Sequence, residues 1–309
     1  MIRGLDASAV QGPLPYSKLD PEIRFAILKA QQGNDGFDPW FGRNMRAALA
    51  NGLVPFAYCF AYPLPPQNPG SVIAGGIPGR DPREQAKLCV TRVHAYPEMV
   101  GRPLFLDLEW PPPNDWAKWG CGASQISEWC RVFCAEVACL SGVMPVLYTY
   151  PWWWRSVSAA DTSWAAAYPL WIADYHAAGR WPRENESPVI PRPWIDWLFW
   201  QFDGNGGLKL PNGVDADFCL FNGTEAELQA LYRPQPANDT APLVEPGSII
   251  RPPLPPWPRR RPGRQSERPG EAAAGAAPAA RKTAPATPPP PPPADHWPGT
   301  RPPQQVPAR

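Results

Sequence analysis

Two carboxylic acids stand two residues apart in the apolar run LFLDLEW, Leu104–Trp110. Side chains at i and i+2 of a strand share a face, with Cβ atoms roughly 6.5–7 Å apart, so Asp107 and Glu109 look into one cleft. Like charges that close raise the pKa of one member, and the apolar flanks Leu108 and Trp110 add desolvation in the same direction. One carboxyl then stays protonated near neutrality beside an ionised partner. Glycosidic bond cleavage needs such a pair: an acid to protonate the leaving oxygen, and a negative group to stabilise an oxocarbenium-like transition state or guide a nucleophile. No Ser/His/Asp set, P-loop or G-x-G-x-x-G fingerprint competes with it.

The elements that must position these acids follow from apolar runs ending in polar residues. The predicted strands are Ile2–Asp6, Phe25–Ala30, Val54–Tyr62, Leu104–Glu109, Met144–Tyr150, Leu170–Asp174, Leu198–Phe202 and Val214–Phe218. Helices are predicted at Pro39–Ala50, opened by Asp38, at Pro82–Val93 behind an Asp81 cap, and at Gln125–Leu140, capped by Ser124 and closed by Gly142. After Tyr150 the gaps turn Trp- and Pro-rich and helical periodicity weakens. Eight strands with fading helices predict an α/β fold, a modified and incomplete (β/α) barrel of the TIM-barrel kind. Barrel enzymes build their sites at the C-terminal ends of strands, and acids recur there. Asp6 closes the first strand, Asp107 and Glu109 the fourth and Asp174 the sixth, while Asp215 lies in the eighth. Tyr and Trp near strand ends suit the apolar faces of sugar rings, Tyr58 in FAYCF and Tyr148 in VLYTY foremost.

Composition sets the limits around this body. The chain has 309 residues and a formal net charge of +1, which gives no global basic field for nucleic acid. From Arg233 onward periodicity is lost, and about half of the 47 prolines fall there. The sequence therefore predicts a catalytic domain over residues 1–232 and a Pro/Ala/Arg-rich disordered tail over 233–309. The tail reads as a solubilising extension; its segment Trp257–Arg264 could instead bind anionic cell-surface polymers or a proline-motif domain. Seven cysteines without C-x-x-C spacing read as buried free thiols, and three scattered histidines argue against a zinc site. Neither metal nor cofactor is expected, and the protein is expected to be a monomer. MIRGLDASAV has no apolar stretch of signal-peptide length, and no 18-residue apolar run occurs, so the protein is expected to be made in the cytoplasm without a transmembrane segment and released by a holin-like or other route.

These residues resemble glycoside hydrolase family 25, the Chalaropsis-type lysozymes. The likeness runs from Gly4 to Phe221 through GLDASAVQG (Gly4–Gly12), KAQQG (Lys29–Gly33), FDPWFGRNMRAALANGLVPFAYCF (Phe37–Phe60), LFLDLEW, VLYTYPWWW (Val146–Trp154), PLWIADY (Pro169–Tyr175) and WQFDGNGGLKLPNGVDADF (Trp200–Phe218). The resemblance implies a modified barrel that cleaves the β-1,4 bond between N-acetylmuramic acid and N-acetylglucosamine in peptidoglycan glycan strands. It implies Glu109 as proton donor, with Asp107 positioning the acetamido group should that group act as internal nucleophile. It implies Asp6 and Asp215 as further acids of the cleft, and Tyr58, Tyr148, Asp174 and Gln201 along the groove.

The chain departs from the family's pattern at three places. Gln31 and Gln32 stand where the family has Ser or Thr and then Glu, Cys59 stands for a His, and Asp217 for an Asn. Gln32 can hydrogen-bond but cannot carry a negative charge. Two alternatives stay open: a hexosaminidase acting on chitin-like polymers, and a catalytically silent glycan-binding module.

Overall fold

The computed structural model describes residues 1–34, 36–64, 81–204 and 207–232, with the backbone of 72–73 and 77–78. The tail expected over 233–309 lies outside the described residues. Eight strands build the body: β1 (Ile2–Ala7), β2 (Ile23–Gln32), β3 (Val54–Phe60), β4 (Leu104–Asp107), β5 (Val146–Thr149), β6 (Leu170–Ala173), β7 (Phe199–Asp203) and β8 (Asp217–Phe221). Neighbours from β1 to β7 pair in parallel. Strand β8 runs antiparallel between β7 and β1 and closes the barrel. The ring is complete in strands and incomplete in helices. Gly36–Phe37 adds a short antiparallel pair to the end of β2.

Helices α1 (Phe41–Ala50), α2 (Pro82–His94) and α3 (Ala123–Ser141) follow β2, β3 and β4. The Asp81 carboxylate accepts the Arg83 N–H at the start of α2, with Pro82 in the first turn, as predicted. The expected Ser124 cap of α3 is displaced: Gly122 caps the helix, the Gln125 carbonyl accepts its N–H, and Ser124 lies inside the first turn. Later gaps hold the short α4 (Pro151–Val157) and a 3-10 turn at Ser163–Ala167, and α5 (Glu225–Tyr232) follows β8. No helix of the described residues is long and apolar enough to cross a membrane.

Strand alternation divides the core into two shells. Outward residues such as Leu5, Ala26, Ala57, Leu106 and Trp200 pack with residues of α1, α2 and α3 in one cluster. Inward residues Phe25, Phe56, Phe105, Phe199 and Phe221 fill the barrel, with Phe105 and Phe199 centroids 5.1 Å apart. Gly4 leaves room for this filling, since a Cβ there would sit 2.4 Å from the Phe25 ring. Further along the same inward columns the residues become Tyr58 and Tyr148, then Asp6, Lys29, Asp107, Gln201 and Asp217. An apolar plug thus ends in a polar layer at one mouth.

The cysteines depart from the expectation of buried free thiols. Cys59, outward on β3, forms a disulfide with Cys89 of α2. Cys130, Cys134 and Cys219 are buried and free, Cys121 is half-buried and Cys139 exposed.

Candidate active site

The polar layer converges on Gln201. Its Nε2 donates to Asp6 Oδ2 at 2.8 Å and to Asp217 Oδ2 at 3.3 Å. Its Oε1 accepts from the Tyr148 hydroxyl at 2.9 Å and the Tyr175 hydroxyl at 2.7 Å. Both amide hydrogens and both acceptor sites are used. Asp6 also accepts from the Cys219 thiol at 3.2 Å. Burial nevertheless pushes Asp6 up to about 7, against the hydrogen bonds from Gln201 and Cys219 that favour its charge.

Asp107 ends β4 and is 5% exposed; Glu109, two residues on, is half-buried at the mouth. Burial and then the Glu109 charge hold Asp107 well above the usual carboxylate range, against the pull of Lys29. Burial pushes Glu109 up to about 7, with Lys29 lowering it and Asp6 raising it. Burial is thus the largest influence on Asp6, Asp107 and Glu109 and raises all three. Asp107 Oδ1 is buried and has no hydrogen-bond partner among the described residues. A buried acceptor left open costs free energy unless a ligand supplies the donor.

Two predicted acids lie elsewhere. Asp215 precedes β8, is exposed and pairs with Lys209. The predicted strand Val214–Phe218 starts three residues early, and the strand is antiparallel, so its first residue rather than its last meets the mouth. That residue is Asp217, directly opposite Asp6 in the β1–β8 ladder. Burial, then the charges of Asp6 and Glu109, hold Asp217 well above the carboxylate range. Asp174 follows β6, but its carboxylate accepts the Val189 N–H at 2.7 Å and meets His176 Nδ1 at 3.2 Å. It fastens the loop beyond β6 and does not join the cluster.

Tyr58 and Tyr148, expected along the groove, lie on the inward columns near the mouth but buried beneath the acids, against Trp171 at centroid distances of 6.1 and 4.4 Å. The sequence reading missed Lys29, Asp217 and Tyr175. Lys29 continues the inward column Phe25, Ile27 of β2, and that period of two was the signal that could have found it. Its ammonium donates to Gln32 Oε1, and Gln32 Nε2 donates to the Tyr62 hydroxyl. The Tyr62 ring packs edge-on against Trp110 at 4.9 Å, and Trp110 against Trp119 at 5.2 Å, an aromatic wall beside Glu109. Tyr150 stacks on Trp152 at 6.1 Å, and its hydroxyl feels the charges of Glu109 and Asp107. No group of three or more His, Cys, Asp or Glu side chains among the described residues is arranged to hold a metal ion.

An open acceptor, an acid charged with a proton at neutrality and aromatic walls make a cleft suited to acid-assisted cleavage of a sugar polymer. Comparison with known proteins points the same way. The pattern of glycosyl hydrolases family 25 matches residues 5–209. Lysozyme M1 of Streptomyces globisporus is 28% identical over 247 residues, spanning 78% of this chain and 72% of its own. The N,O-diacetylmuramidase of Chalaropsis sp is 26% identical over 205 residues, spanning 65% of this chain and 87% of its own. Among solved structures, the bacterial lysozyme of Streptomyces coelicolor superposes with a TM-score of 0.58 at 25% identity, covering 75% of this chain and 96% of that one. The family lysozyme of Aspergillus fumigatus, at 23% identity and a TM-score of 0.59, shares the fold over 75% of this chain and 98% of its own.

Proposed function

The chain belongs to glycosyl hydrolases family 25, and from that premise we propose that it is a peptidoglycan muramidase that cleaves the β-1,4 bond between N-acetylmuramic acid and N-acetylglucosamine and so lyses bacterial cell walls. The observation that carries the reading is the open, buried Asp107 Oδ1 two residues from Glu109, whose pKa burial pushes up to about 7. Its relatives named as lysozyme and N,O-diacetylmuramidase supply the substrate class.

In this reading the acetamido N–H of the muramyl residue donates to Asp107 Oδ1. That bond favours the ionised form of Asp107 and leaves the pair's proton on Glu109. Glu109 gives the proton to the glycosidic oxygen as the bond from C1 to that oxygen breaks. The acetamido carbonyl oxygen closes on C1, and the positive charge that develops on the acetamido nitrogen sits against Asp107. Water then adds to C1, the acetamido oxygen leaves, and Glu109 takes the water's proton. Two displacements at C1 retain its configuration. Asp6 and Asp217, held by Gln201, line the cleft beside Glu109, while half-buried Tyr62 and Trp110, the latter backed by buried Trp119, offer the aromatic surface to sugar rings.

Digestion of purified peptidoglycan by wild type and Glu109→Gln, with reduced products identified by mass spectrometry, tests this. Reducing-end muramic acid from wild type alone is the expected result. Reducing-end glucosamine would move the enzyme to the glucosaminidases. Bound but uncut peptidoglycan with both proteins would make the chain a binding module.

A further inference from the structure

Side chains alternate along β6, with Trp171 and Ala173 turned into the barrel and Leu170 and Ile172 into the outer shell. The period continues past the strand end, so Asp174 turns outward and Tyr175 comes over the mouth. The chain is clamped at residue 174. Its N–H donates to the Gln201 carbonyl at 3.0 Å, its carbonyl accepts from Trp200 Nε1 at 2.8 Å, and its carboxylate takes the Val189 N–H and meets His176. The acid expected in the groove thus serves to aim the next side chain into it.

The Tyr175 ring is also fixed from its far end, where the hydroxyl donates to Gln201 Oε1 at 2.7 Å. Gly204 makes room for it, since a Cβ there would lie 3.0 Å from Tyr175 Cζ and 3.3 Å from Asp217 Oδ1. Yet Tyr175 is 37% exposed. With its hydroxyl bonded inside the cleft, the open part is the ring. Tyr62 packs on Trp110, and Tyr150 on Trp152, but among the described residues no aromatic ring or cation packs on Tyr175. A flat apolar face, held rigid and left open beside the acids, is a surface on which the C–H face of a pyranose stacks. A side chain already immobilised loses little rotamer freedom when it does so. Tyr62 and Trp110 follow β3 and β4 while Tyr175 follows β6, so the mouth carries aromatic surface on both sides of β5.

We propose that Tyr175 is a sugar-binding residue of the cleft: its exposed ring stacks on a pyranose of the glycan strand, and its hydroxyl, bonded to Gln201, holds the ring in place to receive it. The inference rests on the muramidase reading above for the identity of the polymer. Gln201 then ties one wall of the cleft to its floor, because the same amide that accepts from Tyr175 donates to Asp6 and Asp217. A ring that only filled space against Gly204 would be replaced by an aliphatic side chain at little loss, whereas a stacking face would not.

The test is the Kd of a tetrasaccharide of alternating N-acetylglucosamine and N-acetylmuramic acid, measured by isothermal titration calorimetry in the Glu109→Gln background. The proteins compared carry Tyr175, Tyr175→Phe, Tyr175→Leu or Tyr175→Ala, each checked for folding by circular dichroism. Phenylalanine keeps the flat face and loses only the bond to Gln201, so binding stays within about threefold. Leucine keeps apolar bulk without the face, and alanine removes both. Each weakens binding about tenfold, the size of one aromatic contact. A leucine variant that binds as tightly as the Tyr175 protein makes the ring a space filler and overturns the proposal. So does a phenylalanine variant as weak as alanine, since the effect then comes from the hydroxyl acting through Gln201 on Asp6 and Asp217. Leucine and phenylalanine decide by themselves should the alanine variant not fold, and binding undetectable in every variant, the Tyr175 protein included, also overturns it. Exposing wild type with Glu109 intact to the same tetrasaccharide separates the two readings. Binding with the expected ranking but no cleavage by wild type overturns the muramidase reading alone, whereas cleavage by wild type with no loss of binding in Tyr175→Leu overturns the role of Tyr175 alone.

Discussion

Asp6 and Asp217 stand opposite each other in the β1–β8 ladder, and both accept from the one Nε2 of Gln201. Two carboxylates so placed cannot both ionise cheaply in a buried site. Strand direction creates the pairing: β8 is the antiparallel member of the barrel, so its first residue reaches the mouth that the other strands reach with their last.

Replacing Asp217 with Asn keeps the shape and removes one of the two acids. The folded protein holds this proton more tightly than the unfolded chain does, since burial and Asp6 raise the Asp217 pKa well above the ordinary value. An acid with a raised folded pKa costs stability once pH passes the unfolded value near 4, and the cost grows by about 1.4 kcal/mol per pH unit until the folded pKa is reached. Asp217→Asn is therefore expected to match wild type in urea unfolding at pH 3.5 and to exceed it at pH 6 by about 2 kcal/mol. Equal stability at both pH values would mean that the Asp217 carboxylate is solvated and the pairing weak.

Hydrolysis by the wild type is expected to fall on the alkaline side with a midpoint close to the Glu109 value of about 7. The proton donor works only while protonated, and burial, the largest influence on it, carries that state to neutrality. The measurement is kcat/KM against pH on solubilised peptidoglycan, which reports the free enzyme. A decline beginning near pH 4.5, the ordinary glutamate range, would show that Glu109 is solvated and that another group gives the proton.

The Cys59–Cys89 disulfide ties an outward position of β3 to α2 across 30 residues of chain. Closing a loop of that length restricts the unfolded chain by about 3–4 kcal/mol. Reduction, or Cys89→Ser, is expected to lower the unfolding free energy by that order. Because the bond lies in the outer shell, activity at 25 °C should stay within about twofold. Alkylation of the denatured, unreduced protein and mass spectrometry locate the bond; all seven thiols alkylated under those conditions would refute it.

The eight strands and the first three helices were legible because apolar runs are local signals; of the predicted caps only Asp81 holds, since α1 begins at Phe41 behind Trp40 rather than behind Asp38, and Gly122 replaces Ser124. What failed was what local signals do not carry. The run Val214–Phe218 and the true strand Asp217–Phe221 overlap, and only pairing with β1 and β7 selects the second, which exchanges Asp215 for Asp217 at the mouth. Asp174 sits at a strand end like Asp6, yet the chain folds back and its carboxylate is spent on the Val189 N–H. The disulfide was hidden because an odd count without spacing pairs no cysteine. It becomes rational once alternation along β3 turns Cys59 outward to α2. Lys29 stood in plain view in KAQQG, but its meaning depends on carboxylates that other strands bring to it.

Gly33 joins backbone conformation to the aromatic wall. It follows Gln32 at φ +51°, in the left-handed region, and a Cβ there would lie 2.2 Å from the Tyr62 ring. Gly33→Ala has to strain the backbone by about 1–2 kcal/mol and push Tyr62 aside. Tyr62 is bonded to Gln32 and packed on Trp110, so its displacement loosens the wall without touching Asp107 or Glu109. The expected result is a several-fold rise in KM with kcat changed less than twofold, because a contact made equally in the ground and transition states has been weakened. Steady-state kinetics on solubilised peptidoglycan separates the two constants. A fall in kcat at unchanged KM would mean instead that the turn at Gly33 sets the geometry of the acids, through Gln32 and Lys29.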